Sequence, residues 1–116
     1  MNVTQEIPRS EWGHFLEGFT RRNAARPATV QILGSGIGAQ YEARRLALQG
    51  IFLERSRTTI TIVLGESPVL VEHPIGSPSR VWVETSDSGL ERTLEIEAFD
   101  DTKTIVELSR REYAVT

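Results

Sequence analysis

The sequence has no cysteine, a single methionine, a single lysine and few aromatics: two tryptophans, two tyrosines and four phenylalanines. Without cysteine there is neither a disulfide nor a thiolate metal ligand, so a small secreted scaffold is excluded and a reducing, cytoplasmic compartment is expected. No apolar run approaches the roughly 18 residues that cross a bilayer. The opening residues MNVTQEIPRSEW lack the basic region and apolar stretch of an export leader, so neither membrane insertion nor secretion is expected. No compositionally biased tract argues for disorder, and no internal repeat or linker divides the chain. What remains is an ordinary globular composition, 39% hydrophobic and 25% charged over 116 residues. It fits one domain over residues 1–116 with one core.

The net charge of −3 hides an asymmetry. Residues 1–60 carry eight arginines against five glutamates, and residues 61–116 carry eleven acidic against five basic residues. An acidic total weighs against nonspecific nucleic-acid binding, which depends on neutralising phosphates.

Trp12, Phe15, Leu16 and Phe19 recur at i, i+3, i+4 and i+7 and predict one apolar stripe on a helix over about residues 9–23. Pro8 suits the helix start, Glu11 its first turn, and Arg21 and Arg22 its last. Beyond Pro27 the pattern changes to β, and the β-rich body is expected over about 28–116. Strands are predicted at 28–34, 58–64, 80–85, 94–98 and 103–108, with a short edge strand near 70–73 between Pro68 and Pro74. The last two strands read as a hairpin around Phe99–Thr102, and Ser86–Gly89 as a turn. Residues 39–53 are ambiguous between a helix and a strand bulged near Arg44–Arg45. The fold class is therefore α+β: an N-terminal amphipathic helix packed on a predominantly antiparallel, meander-like sheet or a small, partly open barrel. The helix-then-meander order is similar to that of Sm-like RNA-binding barrels, a likeness of order alone.

Three groups of residues are candidates for function. Gly34, Gly36 and Gly38 after a predicted strand match the permissive pattern of dinucleotide-binding turns, with Glu54 about where a ribose-binding acid would stand. The alternative is a glycine-rich strand connection, and the successive strands downstream favour it. Arg80, Trp82 and Glu84 share a strand face opposite Val81 and Val83, which makes Trp82 a candidate partner contact or, if the sheet is covered on both faces, a core residue. Glu84, Glu95, Glu97 and Glu107 form either a charge-paired, solvated sheet face or an acid–base pair. His14 and His73 have no metal-ligand spacing, and no serine lies in a nucleophile motif. No catalytic residue, cofactor or metal is therefore assigned.

At Ile7-Pro-Arg-Ser-Glu-Trp12, Phe15-Leu16, Phe19 and Arg21-Arg22 the sequence resembles a family of small bacterial proteins catalogued as a domain of unknown function. The likeness continues through Gly38-Ala-Gln40, Leu48-Gln-Gly50-Ile51, Pro78-Ser-Arg-Val-Trp82 and Leu94-Glu-Ile-Glu97. It implies a compact protein with a strand after Gly38-Ala-Gln40, and it carries no activity. The expected function is a noncatalytic binding or structural module that self-associates, as a dimer, or binds a protein partner. Nucleotide binding at Gly34–Gly38 and an enzyme using the sheet carboxylates are the alternatives. The edge expected to pair across a two-fold axis is the uncharged, proline-free strand Thr58–Leu64, unless the sheet closes into a barrel.

Overall fold

The computed structural model describes residues 1–34, 36 and 38–109. A short strand, β1 (Val3–Ile7), precedes a single 3-10 turn at Arg9–Glu11 and helix α1 (Trp12–Asn23). Seven strands follow: β2 (Pro27–Gly34), β3 (Gly38–Leu53), β4 (Thr59–Glu66), β5 (Val69–Gly76), β6 (Pro78–Thr85), β7 (Glu91–Ala98) and β8 (Lys103–Leu108). They form one antiparallel sheet in the order β1-β6-β7-β8-β2-β3-β4-β5. The sheet is open, with β1 and β5 at its edges, and the fold is α+β as the sequence pattern indicates.

The ambiguous stretch is strand throughout. β3 runs for 16 residues and serves both halves of the sheet through three register irregularities. Its first part pairs with β2, and the register slips at Arg44–Arg45, where Arg45 takes a φ of 53°. Its second part pairs with β4 across a further slip at Gln49. Such bulges bend a strand and strengthen its twist, so one long strand carries the sheet around the core.

The core is a single cluster with Trp12, Leu16 and Phe19 of α1 over Val30, Leu48, Ile60, Ile62, Leu64, Val81, Leu94, Ile96 and Val106. These strand residues alternate with exposed or half-buried ones, as the two-residue period of a sheet buried on one face requires. Phe15 is only half-buried at the margin of the cluster, with its ring centroid 5.9 Å from that of Phe19 and the Arg22 guanidinium over its outer face. The helical stripe therefore has three fully buried members and one flanking member.

Two contacts fix α1 on the sheet. The Thr20 hydroxyl donates to the Ile51 carbonyl at 3.1 Å and accepts from the Ile51 N–H at 3.0 Å. The close approach needs Gly50: a Cβ there would lie 2.9 Å from the Thr20 methyl and 2.3 Å from the Phe52 ring. At the C-terminal end of α1, Asn23 and Arg26 are buried polar residues whose needs converge on β7. Asn23 donates to the Phe19 carbonyl and to Glu91, and Arg26 donates to Asn23 and to the Glu91 carbonyl. Glu91 also receives two bonds of 2.9 Å from Arg22, which raise the Arg22 guanidinium above its ordinary value.

Two strand expectations need correction. β1 had no counterpart among them; four of its five residues are exposed and only Ile7 is buried, which leaves little hydrophobic signal to read. The Thr58–Leu64 strand, as β4, is paired on both sides, with β3 and β5, so it is not an edge. The edge on that side of the sheet belongs to β5, the strand bounded by Pro68 and containing Pro74.

Candidate functional site

Gly34 pairs with Gly38 across the β2–β3 hairpin, and Gly36 and Gly38 take φ values of 81° and 65°, a region glycine enters without steric cost. The chain then reverses into β3. A dinucleotide turn presents its amide groups at the N-terminus of a following helix, and among the described residues no helix follows this loop. Glu54 lies at the far end of the 16-residue β3, remote from the glycines.

On β6, Val81 and Val83 are buried in the core while Arg80, Trp82 and Glu84 turn to the opposite face. Register places Glu6 and Glu95 on either side of Trp82, and Thr4 and Thr93 on either side of Glu84. The result is an open groove of about 180 Å³ lined by Thr4, Trp82, Glu84, Thr93 and Glu95. Trp82 is half-buried, and its indole Nε1 is shielded from water without a hydrogen-bond partner among the described residues. Glu84 receives one long bond, 3.4 Å, from the Thr93 hydroxyl, and Glu95 has no ion pair or hydrogen bond among the described residues. Around them the face is charge-paired, Arg80 with Glu6 at 3.9 Å and Lys103 with Glu97 at 3.7 Å. An indole face flanked by acceptors is suited to a cationic side chain.

The chain belongs to the family of unknown function DUF5335, whose model matches residues 3–115. No curated protein and no solved structure matches it. In this DUF5335 chain the N-terminal residues that carried the resemblance are architectural. The Trp12 Nε1 donates to the Ile7 carbonyl at 2.9 Å, and Arg9 stacks 4.4 Å from the Trp12 ring centroid. Arg9 also donates to the Pro78 carbonyl at 3.0 Å. Together these contacts lock β1, the helix start and β6 to one another.

His14 is exposed on α1. His73 is half-buried on the core side of β5, opposite Ile62, where the sheet ends diverge. It shares a cleft of about 190 Å³ with Ile32, Ile75, Ala98, Thr104 and the β7–β8 turn at Asp100 and Thr102. Burial pushes the His73 imidazole below its ordinary value, against the pull of the Glu42 carboxylate. The Thr102 hydroxyl and N–H both donate to Asp100 and hold its carboxyl below the ordinary value. His73 thus lies on an edge strand, and its parity with Ile75 in β5 turns it toward the core side.

The edge of β5 has a different character. Val69, Leu70 and Val71 are 73%, 48% and 38% exposed in succession, and among the described residues β5 pairs only with β4. Among the described residues no group of three or more His, Asp or Glu is placed to hold a metal ion, and no helix is long and apolar enough to cross a membrane.

Proposed function

We propose that the protein is a noncatalytic binding or structural module that self-associates as a two-fold dimer by pairing β5 with β5 of a second copy. The observation that carries this reading is the run of three exposed apolar residues, Val69–Val71, on a strand with one unpaired edge. Natural sheets cover, charge or pair such edges. Pro74 has no N–H, so in the β4–β5 ladder it belongs to the set of alternate residues whose backbone groups point away from β4. Leu70 and Glu72 share that parity and supply the outward donors and acceptors.

An axis through Val71 sets Leu70 opposite the partner's Glu72 and Val71 opposite the partner's Val71, with no like charges facing. Pro74 limits the pairing to the first part of the strand, which gives a short and therefore reversible contact. Two-fold dimers are the commonest closed assemblies.

Sedimentation equilibrium over a micromolar concentration range tests the reading. The wild type is expected to pass from monomer to dimer, and Val71→Lys, which sets two ammonium groups against each other at the axis, to remain monomeric with its thermal unfolding unchanged. A monomeric mass for the wild type at every concentration would reject self-association. A dimer untouched by Val71→Lys would move the contact away from β5.

A further inference from the structure

Three aromatic rings of this chain carry an arginine guanidinium from the chain itself: Arg9 lies 4.4 Å from the Trp12 centroid, Arg22 5.7 Å from that of Phe15 and Arg44 3.9 Å from that of Tyr41. Trp82 has an indole, the ring type that binds cations best, and carries none among the described residues. The cation beside it on β6, Arg80, pairs with Glu6 at 3.9 Å instead. Yet the surroundings are those of a cation site. Glu95 is the direct cross-strand neighbour of Trp82 on β7, and Glu84 stands two residues along β6 on the same face. Both are half-buried, neither has an ion pair among the described residues, and the long bond from Thr93 to Glu84 is the one that either receives there. Carboxylates drawn partly out of water ordinarily have a cation or donors to meet them. The indole edge is incomplete as well, since Nε1 is the one buried side-chain polar atom without a partner among the described residues, and such atoms are nearly always satisfied.

We propose that the Trp82 groove is a docking site for an arginine side chain of a protein partner. A guanidinium is planar, always charged, and all donor. Laid flat on the indole it gains the attraction of the ring, and its in-plane N–H groups are directed outward, toward carboxylates that border the groove. A lysine ammonium is a compact, strongly hydrated charge that does not stack, so it uses the carboxylates but not the ring plane. An anion would face Glu84 and Glu95 together. The groove, at about 180 Å³, is smaller than the roughly 300–1,000 Å³ of small-molecule pockets and suits one long side chain. An arginine within a peptide also brings backbone carbonyls, acceptors of the kind that Nε1 lacks, whereas a free guanidinium brings donors alone. The groove is formed by β1, β6 and β7, at the opposite end of the strand order from β5. Its test is therefore independent of pairing at the β5 edge.

The test is an NMR titration of the isotope-labelled full chain with acetyl-Gly-Arg-Gly-amide, beside the same peptide with lysine or with citrulline, the neutral near-isostere of arginine, and beside ethylguanidinium chloride. The arginine peptide is expected to give saturable shifts centred on the Trp82 indole N–H and the Glu84 and Glu95 amides, with a dissociation constant on the order of millimolar for one side chain. It should bind more tightly than the lysine peptide and at least about tenfold more tightly than the citrulline peptide, since hydrogen bonds between charged groups are the stronger ones. Ethylguanidinium, without a carbonyl, is expected to bind more weakly than the arginine peptide. Glu84→Gln and Glu95→Gln together should leave thermal unfolding intact and weaken the arginine peptide by at least about tenfold. The proposal is overturned by the absence of saturable shifts at Trp82, by a smaller gap to citrulline, or by unchanged affinity in the double variant. Lysine binding as well as or better than arginine would reject stacking on the indole. Ethylguanidinium binding as well as the peptide would make the groove a site for a small cation and reject the protein partner.

Discussion

The two tryptophans show how residues of one type divide between architecture and surface. Trp12 is buried with its indole N–H satisfied by the Ile7 carbonyl, whereas Trp82 is half-buried with an N–H that has no partner among the described residues. Trp12→Phe removes a hydrogen bond and core volume together and is expected to cost about 2–4 kcal/mol. Trp82→Phe removes an unsatisfied donor, so its stability should lie within about 1 kcal/mol of the wild type, in either direction. Urea unfolding of both variants checks the contrast, and equal losses would show that the Trp82 N–H has a partner. His73 adds a pH dependence whose sign is fixed by burial. Its folded value lies below the ordinary 6.5, so between the two the unfolded chain binds more protons and stability falls as the medium is acidified. His73→Gln is expected to flatten that part of the curve just below the ordinary value of 6.5. A slope unchanged by the substitution would mean that His73 titrates alike in both states. The strand parity of Trp82 was legible in the sequence because Val81 and Val83 flank it. The inward turn of His73 was not, since Pro74 beside it reads as an edge signal and the cleft is made by residues distant in the chain.

Among the elements, α1 and the strands from β6 onward follow directly from hydrophobic period and turn residues. β3 did not, because its alanines and arginines favour helix while tertiary pairing decides for strand, a conflict that local propensity cannot resolve. The bulge near Arg44–Arg45 was nevertheless visible as a break in alternation, and the structure places the register slip there. β1 escaped notice for the opposite reason: as a short edge strand it buries almost nothing. The apolar stripe of α1 was read as four equivalent residues, and the sheet engages them unequally. Phe19 is fully buried, so Phe19→Ala should cost about 3–5 kcal/mol. Phe15→Ala, at the margin of the core, should cost roughly 1–3 kcal/mol, scaled down with its partial burial. Parallel denaturant titrations test this order, and a larger loss at Phe15 would place that ring at the centre of the helix–sheet contact.

For the molecule as a whole, the decisive property is that an eight-stranded sheet curls around its core without closing. Open sheets keep two edges, and this one treats them differently. β1 carries Thr4, Gln5 and Glu6, polar residues that discourage pairing, whereas β5 presents Val69, Leu70 and Val71. Sequence reasoning had the physical motive for association but assigned it to the wrong strand, because the order of strands in a sheet depends on long-range pairings. β4 lies inside because its neighbours β3 and β5 flank it, and β5 lies outside because β6 pairs with β1 and β7 instead of with it. The central claim is that the outward backbone of β5 pairs with a second copy. Hydrogen exchange of the Leu70 and Glu72 amides, followed by NMR as the protein is diluted, tests it most directly. Both amides are expected to be protected at high concentration and to exchange progressively faster on dilution, while the Ile62 amide inside the sheet keeps its protection. Fast exchange at Leu70 and Glu72 at every concentration would contradict the account.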